Sequence, residues 1–127
     1  MVDSIYVLSY IASMILTARD LFTALSNDVR LRCLVLLQLQ GELCVCELIQ
    51  ALDFSQPMIS RHLALLRDSG LVKDRRAGQW VYYSINPELE AWVAEVLLLT
   101  AQSNSLEKPF SDDIQMLTDM PNRPSCA

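Results

Sequence analysis

The chain is poor in several residue types, and each shortage removes a class of function. With 1 histidine in 127 residues, no paired-histidine metal site can form, and no Ser/His/Asp pattern reads as catalytic. The 3 glycines form no phosphate-cradling loop. The sequence therefore reads as a non-enzyme with no organic cofactor. The 4 cysteines, Cys33, Cys44, Cys46 and Cys126, are too few and too unevenly spaced for a secreted disulfide scaffold. The apolar start lacks a basic segment ahead of it, so it does not read as a signal peptide. Its run "IYVLSYIASMILT" is 13 residues, too short to span a bilayer. Together these shortages point to the reducing cytoplasm, with free thiols and no membrane partner.

What is present is apolar. The hydrophobic share of 52% is high for a chain with one modest core, which favours further burial by oligomerisation. Net charge is −5, yet the charges are unevenly placed. Residues 55–85 carry five basic side chains (Arg61, Arg67, Lys73, Arg75, Arg76) against two acidic ones (Asp68, Asp74). Acidic segments flank this stretch on both sides. Phosphate responds to the local field rather than to the overall charge.

Periodicity divides the chain into a domain over 1–102 and a tail over 103–127. Residues 1–25 form an N-terminal helix region in which 4–25 read as one long helix or two abutting ones, with Ile5, Leu8, Ile11, Ile15 and Leu16 in a stripe that suits core or dimer contacts. Residues 25–41 read as a helix capped by Ser26 and ended by Gly41. Residues 44–70 read as two helices joined by a tight break at "DFS". The second is capped by Ser55 and carries Pro57 in its first turn. That is a helix-turn-helix pattern. Residues 71–85 turn β-branched and aromatic around "RAGQ", which predicts a hairpin wing. Residues 86–102 predict a further helix capped by Asn86. The polar, proline-interrupted tail predicts disorder, with a helical turn at most near 114–117.

A helix-turn-helix reads the major groove with the first turns of its second helix. Gln56 suits adenine, Arg61 suits guanine, and Ser55 and Ser60 suit base edges or phosphate. His62 fits either a DNA contact or a packing role. Arg75 and Arg76, near the wing tip, suit phosphate or the minor groove. The stretch "GELCVCELI" sets Cys44 and Cys46 one residue apart. From spacing alone the pair is a soft-ion chelate, a redox couple, or two half-buried cysteines.

"ELCVCEL", "SQPMISRHLALLRDSGLV" and "GQWVYYSI" together resemble the arsenic-operon repressor group of the ArsR/SmtB winged-helix regulators. The likeness covers about residues 20–100. It implies a mainly α, homodimeric winged helix-turn-helix with a β-hairpin wing, paired through its first and last helices (within 1–25 and 86–102). It implies a repressor that holds operator double-stranded DNA and releases it when arsenite or antimonite binds Cys44 and Cys46. The family's third cysteine falls at Ile49 here, so the site either works with two protein thiolates or recruits Cys126, Cys33 or a small-molecule thiol. Cadmium and lead sensors add cysteines from an N-terminal arm, and residues 1–32 contain none. The histidine used by zinc sensors on the last helix is also missing. Thiol-redox sensing on the same scaffold is the alternative. On a regular helix, residues i and i+2 point about 200° apart. Closing a chelate should then distort the first turn of 44–52 and displace Gln56–Arg61, which would make local strain the switch.

Overall fold

Cap chemistry decides where most of the helices begin. The computed structural model describes residues 16–121 and residue 123. The apolar stretch read as helix over residues 1–15 lies outside the described residues. Thr17 opens α1 (Ala18–Leu25): its Oγ1 accepts the Asp20 N–H at 3.1 Å, and Asp20 accepts the Thr17 N–H in return. Ser26 ends this helix instead of starting the next, donating its hydroxyl to the Thr23 carbonyl. Asn27 caps α2 (Asp28–Gln40), so the Ser26 cap expected from sequence moves by one residue. Gly41, at φ +92°, turns the chain out of α2, a conformation open to glycine for lack of a Cβ.

A strand follows that the sequence does not announce. β1 (Glu42–Cys44) leads into α3 (Val45–Leu52). Asp53 closes α3 in the left-handed region, and Ser55 caps α4 (Gln56–Asp68) by accepting the Met58 N–H. α3 and α4 are the expected helix-turn-helix. β2 (Val72–Ala77) and β3 (Trp80–Ile85) form the hairpin, with Ala77 opposite Trp80 and Gly78 at φ +63° in the turn. The sheet order is β1-β3-β2, all antiparallel, with Cys44 opposite Tyr82. Three residues are too few to show an alternation, so β1 exists through its pairing with β3 rather than through its own pattern.

Two further expectations fail. The last predicted helix starts at Ala91, not after Asn86. Asn86 instead ties a turn together, donating to the Gly70 carbonyl and accepting the Glu88 N–H. This fixes the loop before α5 (Ala91–Asn104) against the end of α4. The segment read as disordered contains α6 (Phe110–Thr118). Asp113 on α6 is buried and forms a two-pronged ion pair with Arg32 on α2, at 2.6 and 2.9 Å. Leu117 joins the core, and Ile114 and Met120 pack against it. These partners are remote in sequence, which is why local composition showed no more of the helix than a turn near 114–117.

The core lies between α2, α3, α4, the sheet and α5. Leu34, Leu37, Leu43, Leu48, Leu52, Ile59, Leu63, Leu66 and Leu71 are all nearly or fully buried there. Burying each such side chain contributes about 1.5–3 kcal/mol. That packing holds α3 and α4 rigidly enough to present one polar face. Among the described residues, no helix is long and apolar enough to cross a membrane.

Candidate functional site

Cys44 is not a helical residue. It is the N-cap of α3, in extended conformation at φ −71° and ψ 149°, while Cys46 lies in the helix's first turn. This one-residue difference swings the Cys44 side chain around. The two sulfurs lie 3.0 Å apart. The expectation that they diverge and that α3 must unwind to bring them together is therefore overturned: the pair already converges on one point. Burial, the neighbouring Cys44 thiol and the Glu47 carboxylate push the Cys46 thiol up to about 12. Both sulfurs are held as thiols rather than as a disulfide.

Glu47 completes the local structure. It is 2% exposed, and its Oε1 accepts the Cys44 N–H at 2.8 Å. Its Oε2 accepts from Arg123 Nε at 2.5 Å. In the sequence Glu47 is simply the acidic residue that follows Cys46. The spacing of a cap residue and a Glu three positions later was the available signal, masked because cysteine is not a usual cap.

The thiols open into a cleft of about 350 Å³. Gln56 and Ser60 from α4, Ile49 from α3, and Arg76 and Trp80 from the wing line it as well. The cysteine pair and two of the groove-reading candidates thus share one concavity. Gln79 and Trp80, not singled out from sequence, belong to the same wall.

The other candidates separate by position. Ser55, Gln56, Ser60 and Arg61 are all exposed on the early turns of α4. His62 is not: it is buried beneath the helix, with its Nδ1 accepting from Arg30 Nη1 at 3.2 Å. Arginine has no acceptor, so His62 is neutral and carries its proton on Nε2. His62 therefore packs, and it drops out of the groove-facing set. Arg75 reaches across the sheet to Glu42 at 2.8 Å and stacks over the Tyr82 ring, 4.7 Å from its centroid. Arg76 is exposed on the cleft side. Cys33 is fully buried in α2, and burial pushes its thiol up to about 12. Cys126 lies outside the described residues. Among those described, no cluster of three or more His, Cys, Asp or Glu side chains is arranged to hold a metal ion.

The His62 contact has a pH consequence. Burial first, then Arg30 and Arg61, lower its pKa below the ordinary value of about 6.5. A depressed folded-state pKa gives stability that is present above the unfolded value and lost as pH falls through the folded one. Arg30 also donates to the Ala24 and Thr23 carbonyls, so protonating His62 loosens a joint between α1 and α4. Urea midpoints should fall from pH 7.5 to pH 5.5, and His62→Gln should flatten that slope.

Comparison with known proteins gives a consistent picture. Residues 27–74 match the family described as "Bacterial regulatory protein, arsR family". The chain is 51% identical over 109 residues to the "Arsenic resistance transcriptional regulator ArsR2" of Pseudomonas putida, covering 86% of this chain and 93% of that protein. Among solved structures it resembles HlyU from Vibrio cholerae, with a TM-score of 0.59 and 36% identity over 66% of this chain and 87% of that one. It also resembles the AntR antimony-specific transcriptional repressor, with a TM-score of 0.54 and 31% identity over 65% of this chain and 78% of that one. These relatives are regulators of transcription, not enzymes.

Proposed function

The chain belongs to the arsR family of bacterial regulatory proteins, and from that premise we propose that it is a cytoplasmic, homodimeric repressor that releases operator duplex DNA when arsenite or antimonite binds Cys44 and Cys46. The observation that carries this reading is the pair of thiols 3.0 Å apart in the cleft that also holds Gln56 and Ser60. Two converging soft donors suit a thiophilic trivalent centre. A neutral trihydroxide can take both sulfurs by exchange: each new bond to sulfur replaces a bond to oxygen, and the departing hydroxide leaves as water with the proton of the thiol. No oxidant or reductant is needed.

The revised geometry changes the switch. Since the sulfurs already converge, strain in α3 is not required. An inducer at the pair instead occupies the cleft beside Gln56, Ser60 and Arg76, on the face offered to DNA. Coupling of this kind acts over one cleft wall rather than through an unwound helix.

The dimer is supported by apolar side chains left exposed on the first and fifth helices: Phe22 on α1, and Trp92, Leu98 and Leu99 on α5. Completion of the inducer site by Cys126 is supported by the Arg123–Glu47 ion pair. Arg123 is three residues before Cys126 in the sequence. Cys33, fully buried in α2, is the weaker candidate.

On the DNA side, Gln56→Ala and Arg61→Ala should each weaken operator binding by about 1–3 kcal/mol and relax specificity at one position. Arg76→Ala should weaken operator and random duplex alike and lower the salt dependence, as loss of a phosphate contact does. Fluorescence anisotropy with both duplexes separates the two patterns.

The short sulfur–sulfur distance also favours a second reading, thiol-redox sensing, because an oxidant would meet two thiols already in contact. Titrating operator-bound protein with arsenite, zinc and peroxide in parallel tests both. Release by arsenite at the lowest concentration supports the proposal. Release by peroxide alone replaces it with the redox reading.

A further inference from the structure

We propose that Glu47, locked in place by Arg123, is the positioning residue that makes Cys44 and Cys46 converge. This rests on the reading of the pair as the inducer site. The sulfurs meet because Cys44 stays outside the helix, at ψ 149°. Were the helix to begin one residue earlier, the two side chains would sit about 200° apart. The contact that holds Cys44 out is the hydrogen bond from its own N–H to Glu47 Oε1 at 2.8 Å. In a helical Cys44 that N–H would be turned toward the preceding chain and would lose this partner. β1 adds a second restraint by pairing Cys44 with Tyr82, yet only Glu47 reaches the Cys44 amide from within α3.

A carboxylate 2% exposed cannot do this alone, since an unpaired buried charge is strongly disfavoured. Arg123 supplies the counter-charge on Oε2, 76 residues away in the chain. Arg123 follows α6, which is itself fastened to α2 through Asp113 and Arg32. The C-terminal segment therefore acts on the thiols through one carboxylate: Arg123 holds Glu47, Glu47 holds the Cys44 amide, and the amide sets the sulfur. Neither Glu47 nor Arg123 needs to touch the inducer.

The test uses the full-length protein on an operator fragment, with sodium arsenite as the probe and Glu47→Ala, Glu47→Gln, Arg123→Ala and Cys44→Ser/Cys46→Ser run side by side. Each variant gives two readouts: operator affinity without arsenite, and the arsenite concentration for half-release. Glu47→Ala and Arg123→Ala should raise the half-release concentration about 10- to 100-fold, the range for residues that orient ligands without binding the ion. Operator affinity without arsenite should stay at the wild-type value. Glu47→Gln keeps an oxygen for the Cys44 amide and should restore most of the response. Half-release at the wild-type arsenite concentration in Glu47→Ala overturns the proposal. A parallel loss of operator affinity overturns it too, since that marks a merely structural role; thermal melts of Glu47→Gln show whether the fold survives. If the double cysteine variant still releases DNA, the inducer-site reading itself fails, whatever Glu47 does. If that variant is blind to arsenite while Glu47→Ala behaves as wild type, only the positioning role fails.

Discussion

A protein carrying Cys44→Ser and Cys46→Ser is expected to hold operator DNA normally and to ignore arsenite up to concentrations at least about 100-fold above those that release the wild type. The two halves of this expectation have separate physical grounds. Operator binding should persist because serine is close to cysteine in size and caps a helix better than cysteine does, so α3 keeps its start and α4 its presentation. The response should vanish because serine hydroxyls are hard donors with no advantage over the hydroxides already on a soft trivalent centre. Single variants are expected to fall between, since one remaining sulfur still attracts the ion but cannot chelate it. Anisotropy of a labelled operator, titrated with arsenite, reads both halves in one experiment. A double variant that releases DNA at the wild-type arsenite concentration would remove the cysteine pair from the mechanism.

The helix-turn-helix and the wing were legible because their signals are local. Ser55 and Pro57 mark the start of α4, and Ile59, Leu63 and Leu66 mark its buried face, all of which the structure repeats. Gly78 and the aromatic run that follows it mark the hairpin in the same way. What could not be read depended on partners far away. β1 needs β3, α6 needs Arg32, and the contact at His62 Nδ1 needs Arg30. The cysteine pair is the instructive case. The spacing singled out Cys44 and Cys46, yet placing the helix start at Cys44 rather than Val45 made the sulfurs diverge, when in the fold they lie 3.0 Å apart. Helix boundaries are the least certain part of any sequence reading, and a chelate spaced at i and i+2 is unusually sensitive to them. The exposure of Ser55, Gln56, Ser60 and Arg61 was legible from the helical period, whereas Arg75 could not be separated from Arg76 without the contact to Glu42.

Replacing Arg32 by alanine should lower stability by about 3–5 kcal/mol, the range for breaking a buried pair and leaving one charge behind. The Asp113 side chain is 4% exposed and that of Arg32 is 14%, so water cannot easily take over the lost contact. Arg32 also serves more than one neighbour. Its Nη2 donates to the Leu52 carbonyl at the end of α3, and its guanidinium lies 5.0 Å from the centroid of the Phe54 ring. One side chain therefore joins α2, the turn of the helix-turn-helix and α6. Removing it should free α6 first, because Asp113 would then be an unpaired carboxylate on a short helix. A loosened α6 no longer carries Arg123 to Glu47, so the arsenite response should weaken along with stability, although Arg32 contacts neither thiol. Urea denaturation at fixed protein concentration reads the first effect, and operator release reads the second. Arg32→Met combined with Asp113→Leu separates them. Two apolar side chains of similar bulk should recover most of the stability, since an ion pair in this setting is replaceable by packing. Recovery of the arsenite response in the same variant would show that α6 needs only to be docked, and that its charge pair has no further part in setting the thiols.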